Sequence, residues 1–245
     1  PGTAEGFAAL TDSWRAARRM GDHVALTVTA GPAFTAKWLA PRLFHFAQHH
    51  PEIELRFTAT LRILDFNRDE VDVAIRFGLA TDEGLFSVPI IHEWLTPMMT
   101  PALAAEYENP ADLHRAPLLH QDDTQFLKPP IDWAAWFRAA DIGTAPEHTG
   151  PTFSQADHAI DAALEGAGVG LGRISLTQKA LREGRLVAPF ATALTTEAHY
   201  RFVCPKGAES RPQVKAFLDW MQAETAQMSD FAVDKILVPA ADVAL

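Results

Sequence analysis

The sequence predicts an α/β protein made of two successive lobes with a largely parallel sheet. Three observations predict it. Short β-branched or alternating apolar runs are separated by stretches of helical spacing, the pattern of βαβ units. The texture changes near residue 100, where this alternation gives way to loops and then resumes. The length of 245 residues suits one large domain or two small ones.

The elements follow in order. Phe7, Leu10 and Trp14 recur at helical spacing over residues 6–20, and Arg15, Arg18 and Arg19 load the C-terminal end before Gly21. With so narrow an apolar stripe, this is the end of a longer helix or an ordinary first helix. Residues 23–29 are β-branched and apolar, a strand; 30–33 form a turn. Residues 34–50 carry helical spacing, with Pro41 expected to kink or restart the helix. Residues 52–58 alternate strictly, with Ile53, Leu55 and Phe57 on one face: a second strand. A short helix is expected over 63–69 and a third strand over 71–76.

Residues 85–99 are strand-like, broken by Pro89 and Pro97. Beyond them a helix starts at Asn109-Pro110, and 117–120 is a short strand. Residues 121–130 form a polar loop, and 132–140 a helix with Asp132 as N-cap and Trp133, Trp136 and Phe137 inward. A helix over 157–166, a glycine-rich strand over 169–174 and a helix over 178–183 follow. Residues 200–204 make a strand and 212–225 a last helix. Sequence alone leaves open which lobe takes this last pair, and the tail from Ser229 shows no pattern.

Composition narrows the function. The formal charge is -10, with 31 acidic against 21 basic residues, which opposes phosphate-backbone contact. Hydrophobic residues make up 48% and charged residues 21%, ordinary for a folded domain. Cys204 stands alone, so no internal disulfide or cysteine zinc site is expected, which fits a reducing, cytoplasmic setting. No apolar run reaches the roughly 18 residues of a membrane span, and the first residues have no secretory pattern. The chain opens on Pro1 rather than Met, as a processed product or excised piece does.

Several motifs read blandly. Gly166, Gly168, Gly170 and Gly172 fail the dinucleotide fingerprint because Leu171 interrupts it, and read as a helix stop feeding a tightly packed strand. His45 and His49 have metal-ligand spacing without the HExxH glutamate, so they read as a solvated helix face. Asp122 and Asp123 read as a polar loop tip. No nucleophile, acid–base pair or metal set points to an enzyme, and no cofactor is implied.

A family resemblance emerges from ordered blocks. Val24-Ala-Leu-Thr-Val followed by Phe34-Thr-Ala-Lys-Trp-Leu-Ala-Pro-Arg-Leu resembles the opening of the effector-binding domain of LysR-type transcriptional regulators. Val71-Asp-Val-Ala-Ile-Arg-Phe-Gly78, Thr96-Pro-Met-Met-Thr-Pro-Ala-Leu103, Ala162-Ala-Leu-Glu-Gly-Ala-Gly-Val169, Gly184-Arg-Leu-Val-Ala-Pro-Phe190 and Phe217-Leu-Asp-Trp220 continue the pattern. The Trp-Leu-x-Pro-Arg-Leu and Leu-Leu-His blocks lean toward the subgroup of glycine-cleavage activators and β-lactamase regulators.

The resemblance implies two Rossmann-like lobes joined by two crossover strands, as in periplasmic binding proteins. It implies residues 1–21 as the end of a linker helix, 22–95 with 203–228 as lobe one, 96–202 as lobe two and 229–245 as a tail. A small-molecule effector would sit between the lobes, the chain would form a homodimer or homotetramer, and DNA would be met only through an N-terminal winged helix-turn-helix outside this sequence. The helix over 34–50 would contact a partner's second lobe, with Trp38 and Phe44 facing outward. The effector's energy for changing the angle between lobes is its differential affinity for the two states.

Site residues follow from strand ends. Parallel sheets open their sites at the carboxyl ends of strands. That places Thr29, Gly31, Ala33 and Phe34, with Thr58 and Thr60, at the cleft, where the first amides of the helix favour an anion such as a carboxylate. Phe77 ends strand three, beside Arg76, a ligand group or a structural ion pair. Ser154, Gln155 and Tyr200 are the matching positions of lobe two. Many relatives place a Ser or Thr where this sequence has Ala33, so the backbone, Thr29 or Thr35 must substitute, or the ligand differs. The competing readings are a solute-binding protein for transport, of the same architecture, and an α/β enzyme.

Overall fold

A computed structural model describes Gly6 and residues 24–79, 81–147 and 150–244. The helix expected over 6–20 lies outside the described residues.

Strand β1 (Val24–Ala30) pairs in parallel with β2 (Ile53–Ala59) and β3 (Val73–Gly78). Between β1 and β2, helix α1 (Pro32–Phe34) runs into a π-helical turn (Thr35–Leu39); the chain breaks at Pro41 and restarts as α2 (Leu43–His49). No helix forms over 63–69. There Thr60 Oγ1 accepts from Arg62 N at 3.1 Å, Asp69 Oδ2 from Asp65 N at 2.9 Å and Asp65 Oδ1 from Asn67 N at 2.8 Å. Side chains that take backbone donors in this way compete with helix.

The prolines do not end strand β4 (Leu85–Met98). Its register against β8 (Thr192–Pro205) slips between Pro89 and Ile91 and again between His92 and Trp94. Proline removes a ladder donor and is accommodated by a bulge. Each of these antiparallel strands serves both lobes. Tyr200 to Val203 of β8 pair with β3, whereas Leu95 to Met98 of β4 pair with β7 (Val169–Arg173). They are the two crossovers between Rossmann-like lobes.

The second lobe adds α3 (Pro101–Ala104), a 3-10 turn (Pro110–Arg115), β5 (Leu118–Gln121), α4 (Trp133–Ala139), β6 (Thr152–Phe153), α5 (Ala156–Leu164) and α6 (Ile174–Arg182). Asp132 caps α4, accepting from Ala135 N at 2.8 Å. α6 begins four residues before its expected start. Its β-branched first turn is held helical by buried Glu93, which accepts from Ser175 N at 3.0 Å and Ser175 Oγ at 2.5 Å.

Helix α7 (Pro212–Ala226) packs Val214, Phe217 and Met221 into the first core beside Trp38 and Phe46. Trp133, Trp136 and Phe137 anchor a second core. Each such burial contributes about 1.5–3 kcal/mol. The tail forms β9 (Ile236–Pro239), parallel to β8 at Thr192 to Thr195, and extends a sheet that has nine strands among the described residues. No helix among the described residues is long and apolar enough to cross a membrane.

Candidate functional site

The strand ends of both lobes surround a cavity of about 640 Å³, in the range of sites for drug-sized ligands. Nine of the ten expected residues line it: Thr29, Gly31, Ala33, Phe34, Thr60, Phe77, Ser154, Gln155 and Tyr200. Thr58 does not. Side chains alternate along β2, and Thr58 falls on the solvent face with Glu54 and Arg56. Its carbonyl, not its hydroxyl, faces β1, accepting from Thr29 Oγ1 at 3.0 Å.

The hydroxyls expected to replace the missing one at Ala33 are already engaged. Thr29 donates to Thr58, and Thr35 Oγ1 donates to Gly31 O at 3.0 Å. The first-turn amides of Ala33 and Phe34 stay at the wall, where a helix start leaves donors without intrahelical partners.

Tyr200, 3% exposed, forms the aromatic back of the cavity. Its ring lies 4.3 Å from Phe34 and 4.9 Å from Phe77, centroid to centroid. Burial drives its phenol pKa well above the usual range, so it stays neutral.

Charged residues at the wall come in pairs. Asp82 bonds Arg76 Nη1 and Arg201 Nε, each at 2.8 Å, and accepts from Ser87 Oγ at 2.8 Å. Burial pushes the Asp82 pKa up, but these hydrogen bonds outweigh it and hold the carboxyl below its ordinary value. Arg76 is thus an ion-pair residue at the wall. Arg173 lies over the Phe77 ring at 5.1 Å and bonds Asp123. Burial raises the Asp123 pKa despite that cation; Glu93, deeper behind, is raised by burial against the pull of Arg173. Burial pulls the Arg173 pKa down, but the acidic groups around it outweigh that and raise it, so it stays cationic.

Leu61, Ile63, Asp82, Asp123, Phe126, Arg173 and Arg201 also line the cavity and were not expected. Asp123 and Phe126 follow β5, and Arg173 ends β7, so applying the strand-end rule to those strands would have found them. Leu61 and Ile63 sit in or beside the segment expected to be helical.

A second cavity of about 390 Å³ belongs wholly to the second lobe, between β5 and α4. Among the described residues no group of three or more His, Cys, Asp and Glu is placed to hold a metal. His49 Nδ1 lies 2.7 Å from the His45 carbonyl.

The LysR substrate binding domain family matches residues 21–226. The glycine cleavage system transcriptional activator of Escherichia coli K12 is 32% identical over 223 residues, 90% of this chain and 71% of that protein. The transcriptional activator AmpR of Rhodobacter capsulatus is 30% identical over 230 residues, 93% of this chain and 76% of the relative. Among solved structures, the effector domain of AmpR from Pseudomonas aeruginosa aligns with TM-score 0.67 and 28% identity, covering 84% of this chain and 98% of that one. The AmpR effector binding domain of Citrobacter freundii, at 23% identity and TM-score 0.65, shares the fold over 83% of this chain and 98% of that one.

Proposed function

Because the chain belongs to the LysR-type transcriptional regulators and carries their substrate-binding domain, we propose that its effector is a small molecule held in the cavity between the lobes. One observation carries the reading: a single cavity takes walls from both lobes and from crossover strand β8. A ligand there touches both lobes at once, so its affinity depends on their relative angle, and binding biases that angle. We place the lobes at 22–95 with 203–228 and at 96–202. The solute-transport reading is not favoured, since the relatives are transcriptional regulators.

In this reading the angle is reported to a second copy in a homodimer or homotetramer, inside the cytoplasm. DNA is contacted by a winged helix-turn-helix outside this sequence. Trp38, expected to face outward, is fully buried, which weakens the contact surface expected over 34–50 and leaves it Phe44 of α2, 68% exposed.

Thermal-shift screening of small amino acids, carboxylates, nucleosides and cell-wall peptides tests the site. A ligand at 100 times its Kd adds about 2.7 kcal/mol of stability. That gain is expected to be lost in Ser154→Ala and Gln155→Ala and kept in Thr58→Val, whose side chain is off the wall. Stabilisation that survives both wall substitutions would place the site elsewhere.

A further inference from the structure

We infer that the ligand of this cavity is an amphipathic organic molecule, with an apolar alkyl or aromatic body and one compact polar head. The inference rests on the interlobe-site reading and adds the chemical class. Its first support is the rim. Leu61 is 67% exposed, Ile63 77% and Phe126 58%, and all three line this one cavity. Leu61 and Ile63 follow β2 of the first lobe, whereas Phe126 follows β5 of the second, so apolar groups from both lobes share one mouth. Large apolar side chains left in water and gathered at a cavity mark a binding surface. Phe126 reaches inward as well: its ring is 6.3 Å from Phe77, which continues to Tyr200 and Phe34. An apolar path thus runs from rim to back wall.

The second support is charge. Each guanidinium at the wall has a carboxylate partner. Arg62 pairs with Asp69 at 3.1 Å, Arg76 and Arg201 with Asp82, and Arg173 with Asp123. Asp122 adds a further negative charge at the wall, bonded by Gln125 Nε2 at 2.6 Å. A polyanion would have to strip these cations from their partners, which is costly for the buried pair. Beside these charges the wall offers a polar head two neutral side chains, the Ser154 hydroxyl and the Gln155 carboxamide. The volume of about 640 Å³ far exceeds that of a small amino acid, leaving room for a body that meets the rim.

The test compares acetamide, 4-phenylbutyramide, propionate and inorganic phosphate by isothermal titration. It uses the native chain and the variants Ile63→Asn, Phe126→Ser, Gln155→Ala and Ile236→Asn. Ile236 is also exposed, at 63%, but sits on the tail, and circular dichroism checks that each variant is folded. The expected result is that 4-phenylbutyramide binds at least about tenfold more tightly than the other three probes, the contribution of one buried ring. Ile63→Asn and Phe126→Ser each weaken it by about tenfold. Gln155→Ala weakens it too, and Ile236→Asn leaves it unchanged. Tighter binding of propionate or phosphate, abolished by Gln155→Ala, overturns the apolar class and leaves the interlobe site standing. Binding of 4-phenylbutyramide indifferent to all three wall substitutions overturns the site itself. No binding of 4-phenylbutyramide at 1 mM, a concentration at which even a weak amphipathic ligand registers (about 4 kcal/mol of affinity), also overturns the class.

Discussion

Lys37 Nζ on the π-helical turn meets Asp161 Oδ1 on α5 at 2.5 Å, tying the helix that follows β1 to the first helix after β6. The two side chains are 20% and 59% exposed, so solvent screens the pair. A double-mutant cycle of Lys37→Ala and Asp161→Ala is therefore expected to give a coupling of about 0.2–1 kcal/mol in urea unfolding. The coupling should shrink in about 0.5 M salt. A coupling of zero at low salt would mean the two helices are held together by packing alone.

Glu93, Asp123 and Arg173 place two carboxylates around one buried cation. Burial raises the pKa of both acids despite Arg173. A raised folded pKa means the folded state keeps a proton that the unfolded state releases, so their contribution to stability falls as pH rises through the window above the ordinary carboxylate value. Asp82 has the opposite sign. Its lowered pKa gives stability above the ordinary value, lost as pH falls through the folded one. Urea unfolding from about pH 3 to about pH 8 is expected to show a maximum, and Glu93→Gln to flatten its alkaline slope. Arg173→Met leaves two buried acids without their cation and is expected to cost about 3–5 kcal/mol at neutral pH.

The lining of the cavity was legible where local chemistry and position agree. Strand ends at Thr29 and Phe77, and the helix entry at Ser154 and Gln155, could be placed because a parallel sheet always opens at its carboxyl edge. Thr58 lies off the lining because a strand's period of two, not its proximity to the end, decides where a side chain points. The helix expected over 63–69 failed because Asp65 and Asp69 bond nearby backbone amides, a competition that apolar spacing cannot register. The early start of α6 was invisible because its cap, Glu93, stands 82 residues away from Ser175. The polar reading of 121–130 hid Asp123 and Phe126, whose roles depend on β7 and β3 arriving beside them.

The glycine run of the second lobe gives a sharp contrast. A Cβ on Gly168 would lie 2.3 Å from the Pro117 carbonyl oxygen, whereas one on Gly170 would lie 3.7 Å from the Ala163 methyl. The first neighbour is backbone of the chain leading into β5 and must shift; the second is ordinary contact. Gly168→Ala is expected to destabilise by about 1–3 kcal/mol or more, Gly170→Ala by much less, in parallel urea melts. Equal costs would show that β5 can yield, and that the glycines serve something other than close packing.

The tail is built into the second lobe. Lys235 Nζ donates to the carbonyls of Ala188 at 2.7 Å and Phe190 at 2.6 Å, and burial lowers its pKa. Ile236 N donates to Ala191 O at 2.8 Å, β9 then runs beside β8, and Arg138 Nε donates to Val243 O at 2.6 Å. Ala240 is 3% exposed against the core that holds Trp136 and Phe190. Lys235→Met keeps the apolar stem and leaves two carbonyls unpaired, so about 1–3 kcal/mol should be lost. Ending the chain after Ala232 also uncovers the edge of β8 and frees Arg138, and should cost more than Lys235→Met. The loss should register as faster amide exchange at Ala193 and Leu194, with the amides of β1 and β2 unchanged. Exchange that accelerates equally in β1 would mean the lobes unfold as one unit and the tail stabilises the whole domain; unchanged exchange at Leu194 would mean the parallel pairing with β9 contributes nothing.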